Sequence, residues 1–143
     1  MLAIRQYADT TDRTQVVELW RTVFGYETAH NEPNLTIEKK IVVNDGLFFV
    51  AIEHTQIIGT IMAGYDGHRG WIYSVSVHPN KRLGGIGRLL VQHAETALTA
   101  LGCMKVKLQI LKTNEATAAF YHSLGYSVEP NVSMGKMLPF SAV

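Results

Sequence analysis

Apolar and polar positions alternate from Leu2 to Tyr7, which predicts an opening strand. Val16, Val17, Trp20, Val23 and Phe24 then recur at helical spacing behind Thr11 and Asp12, two candidate N-terminal caps. A weaker helical pattern covers Thr36 to Asn44. Leu47 to Glu53 and Ile57 to Tyr65 are apolar, β-branched or aromatic runs joined by His54-Thr55-Gln56, the pattern of an antiparallel hairpin. Asp66-Gly67-His68-Arg69-Gly70 is turn chemistry, and Trp71 to Val77 reads as a third meander strand that Pro79 stops. The best-defined helix follows, with Ile86, Leu89, Leu90, His93, Ala94, Ala97, Leu98 and Leu101 on one face and Gly102 at its end. Val106 to Leu111 predicts a strand, Asn114 caps a helix through Leu124 that Gly125 closes, and Tyr126 to Val128 and Ser133 to Leu138 predict short final strands. The order β-α-α-β-β-β-α-β-α-β-β implies a mixed sheet with helices on both faces.

A chain of 143 residues, 47% hydrophobic and 17% charged, suits one domain over residues 1–143. The single Cys103 forbids an internal disulfide, and it reads as a small packed apolar group rather than a nucleophile. The histidines are scattered with no metal-ligand spacing, so no metal is expected. Arg5 and Asp9 interrupt the start before an apolar core could form, and no run approaches a membrane span. A cytoplasmic protein without membrane association is expected. A net charge of +1 gives no case for nucleic acid, yet it conceals a dipole. Residues 1–66 carry 5 basic and 9 acidic side chains, whereas residues 67–143 carry 8 and 3.

The basic half contains the segment with chemistry, His78-Pro79-Asn80-Lys81-Arg82-Leu83-Gly84-Gly85-Ile86-Gly87-Arg88, which leads from a strand into the long helix. A helix N-terminus offers N–H groups without intrahelical partners and about half a positive charge, and glycines let a phosphate approach them. No acidic side chain occurs from Gly67 to Ala94. A Walker A loop is excluded because Gly85-Ile86-Gly87-Arg88 lacks the Gly-Lys-Ser/Thr ending. A dinucleotide fingerprint is excluded by Leu90 at the third glycine and by Lys105 and Lys107 where an acid is required.

Arg82-Leu83-Gly84-Gly85-Ile86-Gly87, following Val75-Ser76-Val77-His78-Pro79, resembles the Arg/Gln-x-x-Gly-x-Gly/Ala signature of the GNAT superfamily of acyl-CoA-dependent N-acyltransferases. Asn114-Glu115-Ala116-Thr117-Ala118-Ala119-Phe120-Tyr121-His122-Ser123-Leu124-Gly125-Tyr126 is similar to that family's Asn-x-x-Ala-x-x-Phe-Tyr-x-x-Leu-Gly-Phe run, differing at Thr117 and in the last aromatic. The turn Gly64 to Gly70 resembles the bacterial YpeA-like branch. The resemblance implies an α/β (mixed α+β) fold with a mostly antiparallel sheet of six to seven strands splayed around a cofactor groove.

It also implies an N-acetyltransferase that moves an acetyl group from acetyl-CoA to a primary amine, directly and without a covalent enzyme intermediate. Arg82, Leu83, Gly84, Gly85, Gly87 and Arg88 match the pyrophosphate-binding positions, and Val75 and Val77 match main-chain partners of the pantetheine arm. Asn114 matches a cofactor contact, although an N-cap alone would also select asparagine there. Tyr121 matches the general acid for the CoA thiolate. Many members carry a carboxylate base where this chain has Ser74, which leaves Glu53, Asp66, His68 and Tyr73 as candidates. Glu53 or Tyr73 relaying through water is preferred. The acceptor is a small-molecule amine or a protein N-terminus, bound near His30 to Asn34 and Asp66 to Gly70. A homodimer is compatible with these patterns, and a CoA-binding sensor without turnover is the alternative reading.

Overall fold

The computed structural model describes residues 1–25 and 31–139. They fall into two compact units, Met1–Leu108 and Gln109–Val143. The first unit holds β1 (Leu2–Gln6), α1 (Asp9–Phe24), α2 (Pro33–Val43), β2 (Phe48–Glu53), β3 (Gln56–Tyr65), β4 (Gly70–Val77), a 3₁₀ turn at Pro79–Lys81, α3 (Ile86–Ala100) and β5 (Val106–Lys107). The sheet runs β1-β2-β3-β4-β5, antiparallel up to β4 and parallel between β4 and β5. Alternation along β2 sends Phe48 and Val50 to the α1/α2 side, where they join Val16, Val17, Trp20, Ile37 and Met62 in one buried cluster. Phe49 points the other way and meets His93 of α3 edge-on, with ring centroids 4.5 Å apart. Helices therefore cover both faces. Gly59 lets α3 come close to β3, because a Cβ there would sit 2.9 Å from both Leu90 Cδ1 and the Ser76 carbonyl oxygen.

α1 starts ahead of its expected caps, with Ala8 at the N-cap. Asp12, buried inside the helix, reaches back to the Ala8 N–H at 2.8 Å and pairs with both terminal nitrogens of Arg5 at 2.7 and 2.9 Å. A carboxylate one turn inside the helix thus takes the N–H of the N-cap residue, the role that the returning acid of a capping box plays, while no side chain caps the first-turn N–H groups. The hairpin connection is also tighter than expected. His54 and Thr55 adopt positive φ of 51° and 68°, a two-residue link, and Gln56 already belongs to β3.

The expected sheet of six to seven strands is corrected to five among the described residues. The predicted strand Val106 to Leu111 shrinks to Val106–Lys107, whose pairing with β4 ends at Trp71. The cause lies in β4. Thr60 opposes Ser76 and Met62 opposes Tyr73, so Ser74 and Val75 together face Ile61 in a β-bulge, with Ser74 at φ 51°. A bulge bends its strand and ends regular pairing.

In the second unit, α4 (Glu115–Ser123) is capped by Asn114, whose Oδ1 accepts from the Thr117 N–H at 3.2 Å. Tyr121 is buried and meets Phe120 and Tyr126 edge-on. The expected strands Tyr126–Val128 and Ser133–Leu138 are absent. The Tyr126 N–H turns back to the Tyr121 carbonyl to close α4, and Pro130 offers no ladder donor. The remainder of that stretch is mostly exposed. His30 and residues 140–143 lie outside the described residues, so that end of the expected acceptor loop is not placed.

Candidate functional site

The first component is a strand with an open edge. The His78 N–H bonds the Ile58 carbonyl at 2.7 Å, so the alternation of an antiparallel ladder turns the N–H and C=O groups of Val75 and Val77 away from β3. Among the described residues no strand pairs with that edge beyond Trp71. The bulge is held by a saturated hydroxyl. Thr60 is fully buried, and its Oγ1 lies 2.8 Å from Trp20 Nε1, 2.9 Å from the Ser74 carbonyl oxygen and 2.7 Å from Ser76 Oγ. Indole N–H can only donate and a carbonyl can only accept. Thr60 therefore donates to Ser74 and accepts from Trp20 and Ser76, which uses its one proton and both lone pairs.

The open edge runs into the second component, the start of α3. Gly85 is the N-cap at φ 81° and makes no side-chain cap, and the first turn holds no acidic residue. Leu83 also has positive φ, 69°, and its side chain is fully exposed, so the loop turns backbone inward. Left-handed residues beside helical ones make a concave array of N–H groups suited to an anion. A Cβ at Gly85 would meet nothing within 4 Å, so open space lies before the helix start. Arg82 and Arg88 are exposed beside it, and Arg82 Nε reaches back to the Val77 carbonyl at 3.2 Å. Arg82, Leu83, Gly84, Gly85, Gly87 and Arg88 lie on this loop and helix start, which follows the edge at Val75 and Val77 along the chain. This donor set fits a pyrophosphate.

The third component is an open cavity of about 450 Å³ on the α2 side, lined by Lys40, Val43, Asp45, Gly64, Tyr65, Asp66, Trp71 and Tyr73. Tyr73 directly precedes the bulge residue Ser74, so the cavity adjoins the open edge. Lys40 is 7% exposed and was not foreseen as a site residue. The available signal was its place at i+7 and i+3 from Pro33 and Ile37 on the buried stripe of α2. Its ammonium donates to Asp45 Oδ2 at 2.9 Å, to Tyr73 Oη at 2.8 Å and to the Ala63 carbonyl.

The remaining candidates separate. Glu53 sits at the far end of β2. Tyr73 pairs with Met62 and Met62 with Phe48, so Glu53 is five residues along from Tyr73's row, about 17 Å at strand rise. It accepts from Lys81 Nζ at 2.7 Å, which holds its carboxyl below the usual carboxylate range. Asp66 accepts the N–H groups of Arg69 at 2.7 Å and His68 at 2.8 Å, and these bonds hold its carboxyl low. His68 lies in that exposed turn. Asn114 uses its side chain as a cap, and burial pushes the Tyr121 phenol up to about 12. Among the described residues no group of His, Cys, Asp and Glu could hold a metal, and no helix is long and apolar enough to cross a membrane.

A bulged strand with an open edge thus leads into a glycine-rich helix start without a side-chain cap. Residues 13–126 match the model of the acetyltransferase (GNAT) family, a span that enters both units, and the chain belongs to that family. An acetyltransferase of Pectobacterium atrosepticum is 39% identical over 108 residues, which cover 76% of this chain and 77% of that one. Among solved structures, the aminoglycoside N-acetyltransferase AAC(6')-Iy in complex with CoA matches with a TM-score of 0.79 at 18% identity, covering 96% of this chain and 95% of that chain. The PaiA N-acetyltransferase of Thermoplasma acidophilum in complex with coenzyme A matches at 0.73 and 19% identity, over 92% and 93% of the two chains. At these identities the two structures attest the fold.

Proposed function

We propose that this GNAT acetyltransferase, of the YpeA-like branch, moves the acetyl group of acetyl-CoA to the nitrogen of a primary amine, a small molecule or a protein N-terminus, which enters beside Tyr73. The observation that carries the reading is the continuity of the open β4 edge with the uncapped start of α3. Arg82 to Arg88 hold the pyrophosphate through main-chain N–H groups and arginine charge, and Val75 and Val77 pair with the pantetheine arm as an added strand. Acetyl-CoA supplies an activated thioester. The main-chain N–H beyond the bulge acts as a fixed dipole on its carbonyl, and alignment with the amine supplies the rest.

An alkylamine near pKa 10.4 is unprotonated in only about one molecule in two thousand at neutral pH, so a proton must leave first. Glu53 is engaged with Lys81 and distant from Tyr73, and Asp45 and Asp66 are committed to the protein's own donors. The proton therefore passes to water in the open cavity, with Tyr73 as a fixed wall of that water path. The resemblance to the family assigns Tyr121 to the departing thiolate. With a phenol near 12 and a thiol near 8.5, full proton transfer would run uphill by roughly 5 kcal/mol, so its contribution is a hydrogen bond to the developing charge. Calorimetric titration with acetyl-CoA tests the reading. Binding that weakens as salt rises is expected, and absence of binding would remove it.

A further inference from the structure

The cavity wall commits almost every polar group it has. Asp45 takes Lys40 on Oδ2 and the Leu47 N–H on Oδ1 at 3.0 Å. Asp66 takes the two backbone N–H groups of His68 and Arg69 on Oδ1. Tyr65 donates to the Gly67 carbonyl at 3.3 Å. Lys40 has three protons and three acceptors. Tyr73 differs. An ammonium cannot accept, so the Tyr73 oxygen receives the Lys40 proton and its own hydrogen must point elsewhere. Among the described residues no protein acceptor takes it, and the ring is 41% exposed on the cavity wall. The charged lining residues are Asp45, Asp66 and Lys40, two acids against one lysine, a net −1 that a single ligand ammonium offsets. A carboxylate on the ligand is disfavoured by that balance and a second ammonium would find no unoffset charge, while the aromatic faces of Tyr65, Trp71 and Tyr73 suit carbon.

We infer that the acceptor is a primary amine whose carbon frame carries a neutral oxygen, a hydroxyl or an amide carbonyl, and that the Tyr73 O–H held by Lys40 is the group that selects it. The inference rests on the cavity being the acceptor site of the proposed acetyltransferase. A site that presents a fixed donor discriminates against analogues lacking the matching acceptor, less strongly in an open cavity than in a closed one. The test compares kcat/KM, read as CoA thiol release, for amino alcohols and amino-acid amides against alkylamines of equal chain length, in wild type and Tyr73→Phe. Wild type should favour the oxygen-bearing amines by about 10-fold or more. In Tyr73→Phe that ratio should collapse toward one whatever the absolute rates, with acetyl-CoA binding by calorimetry showing the variant folded. Equal use of both classes by wild type, a preference for the parent amino acids with free carboxylates when these are added to the panel, or a ratio retained in Tyr73→Phe would each overturn the inference and leave acetyl transfer standing. Acetyl-CoA binding with no amine acetylated would overturn both.

Discussion

Thr60→Val removes one buried hydroxyl and leaves the size of the side chain almost unchanged, so it isolates what holds the bulge. In the native protein that hydroxyl satisfies Trp20 Nε1 and the Ser74 carbonyl and receives Ser76. The variant strands the indole N–H, on a ring only 2% exposed, takes the acceptor from the Ser76 hydroxyl, also 2% exposed, and leaves the Ser74 carbonyl, on a half-buried residue that water can partly serve. An unsatisfied buried group costs about 1–3 kcal/mol, so the two buried donors and the partly hydrated carbonyl together should cost about 3–6 kcal/mol, a large share of the roughly 5–15 kcal/mol typical of a folded domain. Equilibrium urea unfolding should show a lowered midpoint at unchanged slope, and Thr60→Ser, which restores the hydroxyl, should regain most of the loss. A functional consequence follows, because Ser74 at φ 51° aims the next N–H along the open edge. A shift of about 1 Å there can cost around 100-fold in rate, so kcat should fall further than acetyl-CoA affinity. Stability within about 0.5 kcal/mol of wild type would refute the saturated-hydroxyl account.

Three further perturbations probe the other parts. Gly85→Asp adds a Cβ that meets nothing within 4 Å but sits at φ 81°, a backbone strain of about 1–2 kcal/mol that a folded domain can absorb, and its carboxylate would occupy the donors at the start of α3 and repel phosphate; calorimetry should show acetyl-CoA affinity reduced at least about 30-fold, and wild-type affinity would sink the placement. Tyr121→Phe should lower kcat by about 10-fold, the worth of one hydrogen bond to a developing charge, rather than the 10²–10⁴ of a proton donor; an unchanged kcat would remove the role. Asp12 is held below its ordinary range first by its hydrogen bond with Arg5, so its contribution is present above the unfolded value near pH 4 and is lost as pH falls from there through the lower folded value. Asp12→Asn should cost about 2 kcal/mol at pH 7, discounted because Arg5 is 43% exposed, and should flatten the acid limb of the stability curve; an unaltered limb would contradict the assignment.

The order of elements through α4 and the glycine-rich start of α3 were readable from the chain, because helical periodicity around Leu90 and Leu98 and the glycines before it are local signals. The bulge was not. Nothing in Tyr73-Ser74-Val75 distinguishes a regular strand from one with Ser74 at positive φ, since the cause is a tertiary contact, the Thr60 hydroxyl from β3. The same non-local cause shortened β5, where Val106 to Leu111 keeps strand composition but loses its partner after Lys107. Lys40 illustrates a different gap. Composition places lysines outside, and only its position on the Pro33 and Ile37 stripe hints at burial. Glu53 was a reasonable base by residue type, yet strand register carries it to the Lys81 end of the sheet.

The central claim is that this fold transfers an acetyl group to nitrogen. Incubating the purified protein with acetyl-CoA and a panel of primary amines, while following CoA thiol release and the acetylated amine by mass spectrometry, tests it most directly. The account predicts amine-dependent thiol release matched one to one by N-acetylated product. Thiol release at the same slow rate with and without every amine would contradict it and leave a protein that binds CoA without acetyl transfer.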